Sequence, residues 1–227
     1  RRLGNKILDA IHNSICMEEG NRVPLDSEEL SDGGNRVPLG SEELSDGGNR
    51  VPSMKQSNDI VKMIKDFKKL ADSPEGNIYA AYRLGCIYMD KENSEHYDAG
   101  KAIKYLEKAS DSAEENVYAA YRLGCIYMDK EDPEHYDTEK AIAYLEKAVE
   151  NPEGNVYAAY RLGCIYMDET MPESCNLQKG IQFLEKAALQ HNPDAEIKLG
   201  IAYYFGKGVL KDKERGEQYL QAAIADG

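Results

Sequence analysis

The chain has 227 residues and carries 41 Asp and Glu against 28 Lys and Arg, a formal net charge of −13. Phosphate-rich partners need a basic surface to displace counterions, so direct binding to nucleic acid or to an anionic membrane is not expected. No run of 18 apolar residues is present, so no membrane-spanning helix is expected either. Five cysteines, an odd number, point to free thiols in a reducing compartment, with a bacterial cytoplasm the expected location.

In chain order, residues 1–19 (RRLGNKILDAIHNSICMEE) place Leu3, Ile7, Ile11 and Ile15 at near-helical spacing and predict one helix. Residues 20–56 contain a tandem duplication: GNRVPLDSEELSDG from Gly20, GNRVPLGSEELSDG from Gly34, then a truncated GNRVP from Gly48. Paired glycines, a proline in each unit and few large apolar residues leave too little burial to offset ordering entropy, and a flexible linker is expected. Two readings of the duplication stay open, a tolerant spacer or a multivalent short peptide motif.

The remainder, residues 57–227, is an array. KMIKDFKKLADSPEGN from Lys62 aligns with KAIAYLEKAVENPEGN from Lys140, placing Ile64 on Ile142, Phe67 on Leu145 and Leu70 on Ala148. The array therefore opens with a lone second helix, a cap whose wet face carries Lys62, Lys65, Lys68 and Lys69. Then NIYAAYRLGCIYMD from Asn77, and NVYAAYRLGCIYMD from Asn116 and again from Asn155, repeat at a spacing of 39 residues. Each is followed by a second motif, KAIKYLEKA from Lys101, KAIAYLEKA from Lys140 and KGIQFLEKA from Lys179; a diverged fourth copy starts at His191. A unit of this size cannot bury its own apolar face, so the copies must stack into a solenoid. The fold expected is all-α, an α/α solenoid of about four helix hairpins behind an N-terminal capping helix.

Within the first helix of a pair, Ala81, Leu84, Gly85 and Tyr88 fall at i, i+3, i+4 and i+7 and form the core face. Gly85, Gly124, Gly163 and Gly200 share one mid-helix position, where glycine costs about 1 kcal/mol relative to alanine. A cost repeated in four copies implies close helix approach. Asn77, Asn116 and Asn155 are expected to cap the first helices, and Asp98, Asp137, Asn176 and Asp212 the second. Away from the core, Tyr79, Tyr82, Arg83, Cys86 and Met89 form a second stripe. It recurs as Tyr118, Tyr121, Arg122, Cys125 and Met128, and as Tyr157, Tyr160, Arg161, Cys164 and Met167. Stacked hairpins would turn this stripe into ladders. Its tyrosines and arginines are the candidate partner-binding residues, since these types dominate binding hot spots; the other reading open for them is packing between repeats.

Signatures of chemistry are sparse. HExxH, CxxC, SxxK and GxSxG are all missing, so no catalytic, cofactor or metal residue is assigned. Gly206, Lys207 and Gly208 lack the spacing and the Ser or Thr of a phosphate loop. His96 and His135 lie in matching EHYD loops, but each loop offers one histidine and its aspartate is already employed as a cap, so a polar loop is expected there. Cys86, Cys125 and Cys164 recur at one position in neighbouring repeats, about 8–10 Å apart when helices pack, too far for a disulfide. At the carboxyl end, Tyr219, Leu220, Ala223 and Ile224 give the last helix an apolar face, from which self-association through that end, or continuation of the array, is expected.

The AxxxLGxxY pattern of the copies, with Tyr204, Gly206, Gly208, Val209, Asp212, Tyr219, Ala222 and Ala223 in the last one, resembles the Sel-one-like repeat family of the tetratricopeptide-like superfamily. The first three copies depart from it between their helices, where KENSEHYD, KEDPEHYD and ETMPESCN stand in place of GxGVxxD. The resemblance implies a right-handed superhelix and a non-catalytic adaptor that binds a peptide or partner protein on its concave face, with no cofactor. The alternative it implies is a partner-docking array of a larger bacterial enzyme, such as a mobilisation protein whose relaxase domain lies upstream.

Overall fold

The computed structural model describes residues 57–74, 76–111, 117–150 and 155–226, whose regular structure is all helical. The helix expected over residues 1–19, the linker expected over 20–56 and the cap expected at Asn116 lie outside the described residues. A lone helix, α1 (Ser57–Ala71), leads into four hairpins. These pair α2 (Ile78–Met89) with α3 (Ala99–Ser110), α4 (Val117–Tyr127) with α5 (Thr138–Glu150), α6 (Val156–Met167) with α7 (Leu177–Ala188), and α8 (Pro193–Phe205) with α9 (Lys213–Asp226).

Local chemistry starts most of the described helices where the sequence places it. Asn77 and Asn155 accept hydrogen bonds from the Ala80 and Ala158 N–H groups at 2.8 and 2.9 Å. Asn192 does the same for Ala195 at 2.8 Å, with Pro193 pre-set for the first turn. On the second helices Asp98 accepts from Lys101 N–H at 2.8 Å, and Asp137, Asn176 and Asp212 accept from Lys140, Lys179 and Arg215 N–H at 3.0 Å. These four residues also close the hairpins. Their own N–H groups donate to the carbonyls of Tyr88, Tyr127, Tyr166 and Tyr203, each at 2.8 Å. Gly206 and Gly208, at φ of 81° and 73°, turn the fourth loop; the first three reach the same closing bond without them. Loop sequence can therefore depart from the family pattern while the hairpin stays the same.

The repeated glycine is where the two helices of a hairpin touch. A Cβ at Gly124, Gly163 or Gly200 would lie 2.6, 2.6 or 2.5 Å from the Cγ of Leu145, Leu184 or Leu220, and Gly85 meets Leu106 in the same way. All four leucines are fully buried. Above this contact an aromatic pair closes each hairpin: Tyr88 on Tyr105, Tyr127 on Tyr144, Tyr166 on Phe183 and Tyr203 on Tyr219, with centroids 6.0, 5.7, 5.7 and 5.8 Å apart and nearly parallel rings. The preceding repeat then reaches across with a carboxylate. Tyr144 donates to Glu107 at 3.1 Å, Tyr166 to Glu146 at 2.9 Å and Tyr203 to Glu185 at 2.9 Å.

The two ends of the array differ from its interior. Leu70, aligned with the buried Ala148, is 49% exposed, while its neighbour Ala71 is fully buried. The backbone alignment itself is right, because Asn77 N–H donates to Leu70 O as Asn155 N–H does to Ala148 O. That position faces a helix's own hairpin partner, which a lone cap lacks. At the other end, Leu220 and Ala223 are buried and Tyr219 stacks on Tyr203. Most of the apolar face of α9 is thus spent inside its own hairpin, leaving Ile224 exposed.

Curvature follows from which helices meet. The backbones of the first helices α2, α4, α6 and α8 approach one another in succession, whereas among the described residues the second helices' backbones come that close only to first helices and reach one another through side chains. The closer-spaced row lies on the inside of the curve, so the first helices form the inner face.

Candidate partner-binding face

Two tyrosines of each first helix look alike in sequence and have opposite fates in the structure. Tyr79, Tyr118 and Tyr157 are 47, 48 and 36% exposed, a high value for so large a ring. Tyr82, Tyr121 and Tyr160 instead sit in the seam between successive first helices, Tyr121 at only 6% exposure. The seam is built from complementary halves. Arg161 of one repeat donates its Nε–H to the Tyr121 hydroxyl of the preceding one at 3.3 Å, and Arg122 lies beside the Tyr82 hydroxyl of the repeat before it in the same sense. Arg83 has the capping helix before it; there the guanidinium lies over Phe67 at 5.8 Å and over its own Tyr79 at 5.7 Å, and donates to the Tyr79 hydroxyl at 2.9 Å.

These surroundings set the charge states. Burial, with Cys86 or Cys164 alongside, pushes the Tyr82 and Tyr160 hydroxyls well above the ordinary tyrosine range. Burial also raises the Cys86 and Cys164 thiols, although Arg122 beside Cys86 and Lys198 beside Cys164 pull the other way. A thiol held protonated lacks the thiolate that nucleophilic or metal chemistry uses. Cys86, Cys125, Cys164 and Cys175 are all free.

Periodicity alone did not single out two members of this ladder. Phe67 supplies the aromatic ring that precedes Arg83, and Lys198 occupies the arginine position of the fourth repeat. Lys198 was findable, since it precedes Leu199 and Gly200 as Arg161 precedes Leu162 and Gly163. The loop edge is organised differently. Lys91 bridges to Asp129 and Glu131 of the next loop at 2.6 and 2.9 Å, Lys207 reaches Glu169 at 3.3 Å, and His135 Nδ1 lies 2.9 Å from Asp132. Among the described residues no group of three or more His, Cys, Asp and Glu side chains is placed to hold a metal ion, and no helix is long and apolar enough to cross a membrane.

A protein-family model described as the Sel1 repeat matches residues 78–113, 117–152, 156–192 and 193–227, one match for each hairpin. The chain belongs to the Sel1 repeat family. Among solved structures, this Sel1-repeat array is similar to c5321, a protective antigen present in uropathogenic Escherichia coli strains and displaying an SLR fold, with 26% identity and a TM-score of 0.59. That match covers 70% of the chain and 32% of the antigen, so the chain spans about a third of the antigen's length. A Sel1 repeat protein from Oxalobacter formigenes matches at 23% identity and a TM-score of 0.58, over 75% of the chain and 67% of that protein. MamA matches at 25% identity and a TM-score of 0.53, over 76% of the chain and 91% of MamA. Comparison with curated proteins finds no match.

Proposed function

We propose that the chain is a non-catalytic scaffold that holds a peptide or partner protein on its inner face, with Tyr79, Tyr118 and Tyr157 as the contact row and the Tyr82, Tyr121, Tyr160 and arginine ladder as its floor. The observation that carries this reading is the exposure of three equivalent tyrosines on the first-helix row. Tyrosine brings a large rigid contact area at low entropic cost and is enriched in hot spots. The Sel1 repeat fold supports a protein-binding role in general terms.

The test is a pull-down from source lysate with the parental chain and the triple variant Tyr79→Ser, Tyr118→Ser, Tyr157→Ser as baits, read by mass spectrometry beside circular dichroism melts. The variant is expected to lose partners while keeping its helicity, with a modest fall in thermal midpoint from the lost Tyr79 contacts with Arg83 and Phe67 and the Tyr157 contact with Tyr121. An identical partner list from both baits would place the binding surface elsewhere.

A further inference from the structure

We infer that residues 1–15 pack against α1 as the first helix of a further hairpin, which makes residues 20–56 its inter-helix loop. The second helices share a buried row. Ala141, Leu145 and Ala148 of α5, and their equivalents in α3, α7 and α9, are all buried, each leucine against the glycine of its own hairpin's first helix. In α1 the same row reads Met63, Phe67 and Leu70. Among the described residues it has no hairpin partner, so Met63 and Phe67 are only half-buried and Leu70 is 49% exposed. The lysines of α1 lie off this row, at 62, 65, 68 and 69. A helix that ends an array turns polar residues towards the missing neighbour, whereas α1 turns three large apolar ones.

The chain itself holds the matching half. RLGNKILD from Arg2 shares Arg, Leu, Gly and Asp with RLGCIYMD from Arg83, so Gly4 and Ile7 fall at the places of Gly85 and Tyr88, which meet Leu106 and Tyr105 of the second helix. Ile11 and Ile15 continue the stripe at helical spacing. Lys6 falls at the place of buried Ile87, but that position stands one turn after Arg83, on the side that meets the repeat before it at Phe67. Lys6 is thereby turned away from α1. The intervening chain agrees, since GNRVPLD from Gly20 shares Gly, Val and Asp with GKGVLKD from Gly206, the loop that joins α8 to α9 and whose Asp212 caps α9. The joint differs from the others in two ways. Met63 and Phe67 are bulkier than the alanine and leucine of α5, which holds the incoming helix further out, and the connection is longer. Tethering offsets the looser fit: residues 20–56, taken as a coil, span about 30–35 Å, which keeps the segment beside its own α1 at an effective concentration of about millimolar. A second copy in dilute solution does not reach that concentration.

The experiment is amide hydrogen exchange of the full chain, read by mass spectrometry at about 1 and about 100 μM. Residues 3–15 are expected to exchange about ten-fold or more slowly relative to the same sequence as a free peptide, equally at both concentrations. Leu70→Asp, on the exposed row of α1, is expected to return them to the free-peptide rate with α4–α9 unchanged. Leu3→Asp with Ile7→Asp, a change outside the described array, should speed exchange in α1 about ten-fold. Free-peptide rates in the parent chain overturn the proposal, and so does protection that Leu70→Asp leaves intact, which would seat the segment elsewhere. Protection that appears only at the higher concentration assigns the surface to the segment of a second copy and overturns the joint within one chain.

Discussion

One missing methyl group at Gly124 sets how closely α4 and α5 approach. Gly124→Ala would regain about 1 kcal/mol of helix propensity, yet its Cβ would press on Leu145 Cγ, and overpacking of this kind costs about 1–3 kcal/mol. The substitution is therefore expected to destabilise in urea titrations, and pairing it with Leu145→Ala should recover part of the roughly 2–5 kcal/mol that the leucine truncation costs alone. Additive effects would show that the contact is not shared. The glycine was legible in the sequence because a poor helix residue recurred; its leucine partner was not, since an apolar residue on a second helix does not say which atom it meets. The tyrosines divide in the same way. Tyr79 and Tyr82 both lie off the core stripe, and only the stacking of one hairpin on the next, which no single helix's periodicity encodes, buries one and exposes the other. Arginine at 161 is consequently no free surface charge, as the sequence alone would have it. Arg161→Glu is expected to lose about 2 kcal/mol with its seam hydrogen bond, whereas Tyr118→Ser should stay within about 0.5 kcal/mol of the parent, a contrast that chemical denaturation resolves.

Among the elements, the second helices tie the array to pH through their caps. The Lys101 side chain and backbone N–H hold the Asp98 carboxyl below its usual range, and the Lys140 backbone N–H does so for Asp137. A depressed folded value means that the stabilisation is complete above the unfolded value of about 3.9 and is lost as pH falls through the folded one. Asn176 fills the same place on α7 as a neutral cap. Asp98→Asn with Asp137→Asn should thus leave the thermal midpoint at pH 7 nearly unchanged, asparagine being as good a cap, and flatten its fall below pH 4. An unchanged acid limb would remove the caps as its cause. Helix order and starts were readable because capping chemistry is local to a few residues. The exposure of Leu70 was not, because a sequence alignment cannot show that the cap's partner helix is missing.

For the molecule as a whole, the tyrosine hydroxyls set an alkaline limit. Burial beside Asp72 pushes Tyr105 up to about 12, and burial beside Glu185 does the same for Tyr203. Tyr144 next to Glu107 is raised further still, again chiefly by burial. Unfolded tyrosine ionises near 10. These raised values therefore contribute stability that is fully present below about pH 10 and lost as pH rises towards the folded values. Absorbance at 295 nm and helical ellipticity should change together in one steep transition above pH 10. A gradual tyrosinate signal with helicity intact would mean that the stacked rings ionise in place. The seam has a different consequence, at the level of descent. The second unit, the 39 residues from Asn116, carries both Arg122, which meets Tyr82 of the unit before it, and Tyr121, which accepts from Arg161 of the unit after. A copy of that unit inserted into the gene would therefore arrive with both halves of its own joint, and the array could lengthen by duplication at that point without a new kind of contact.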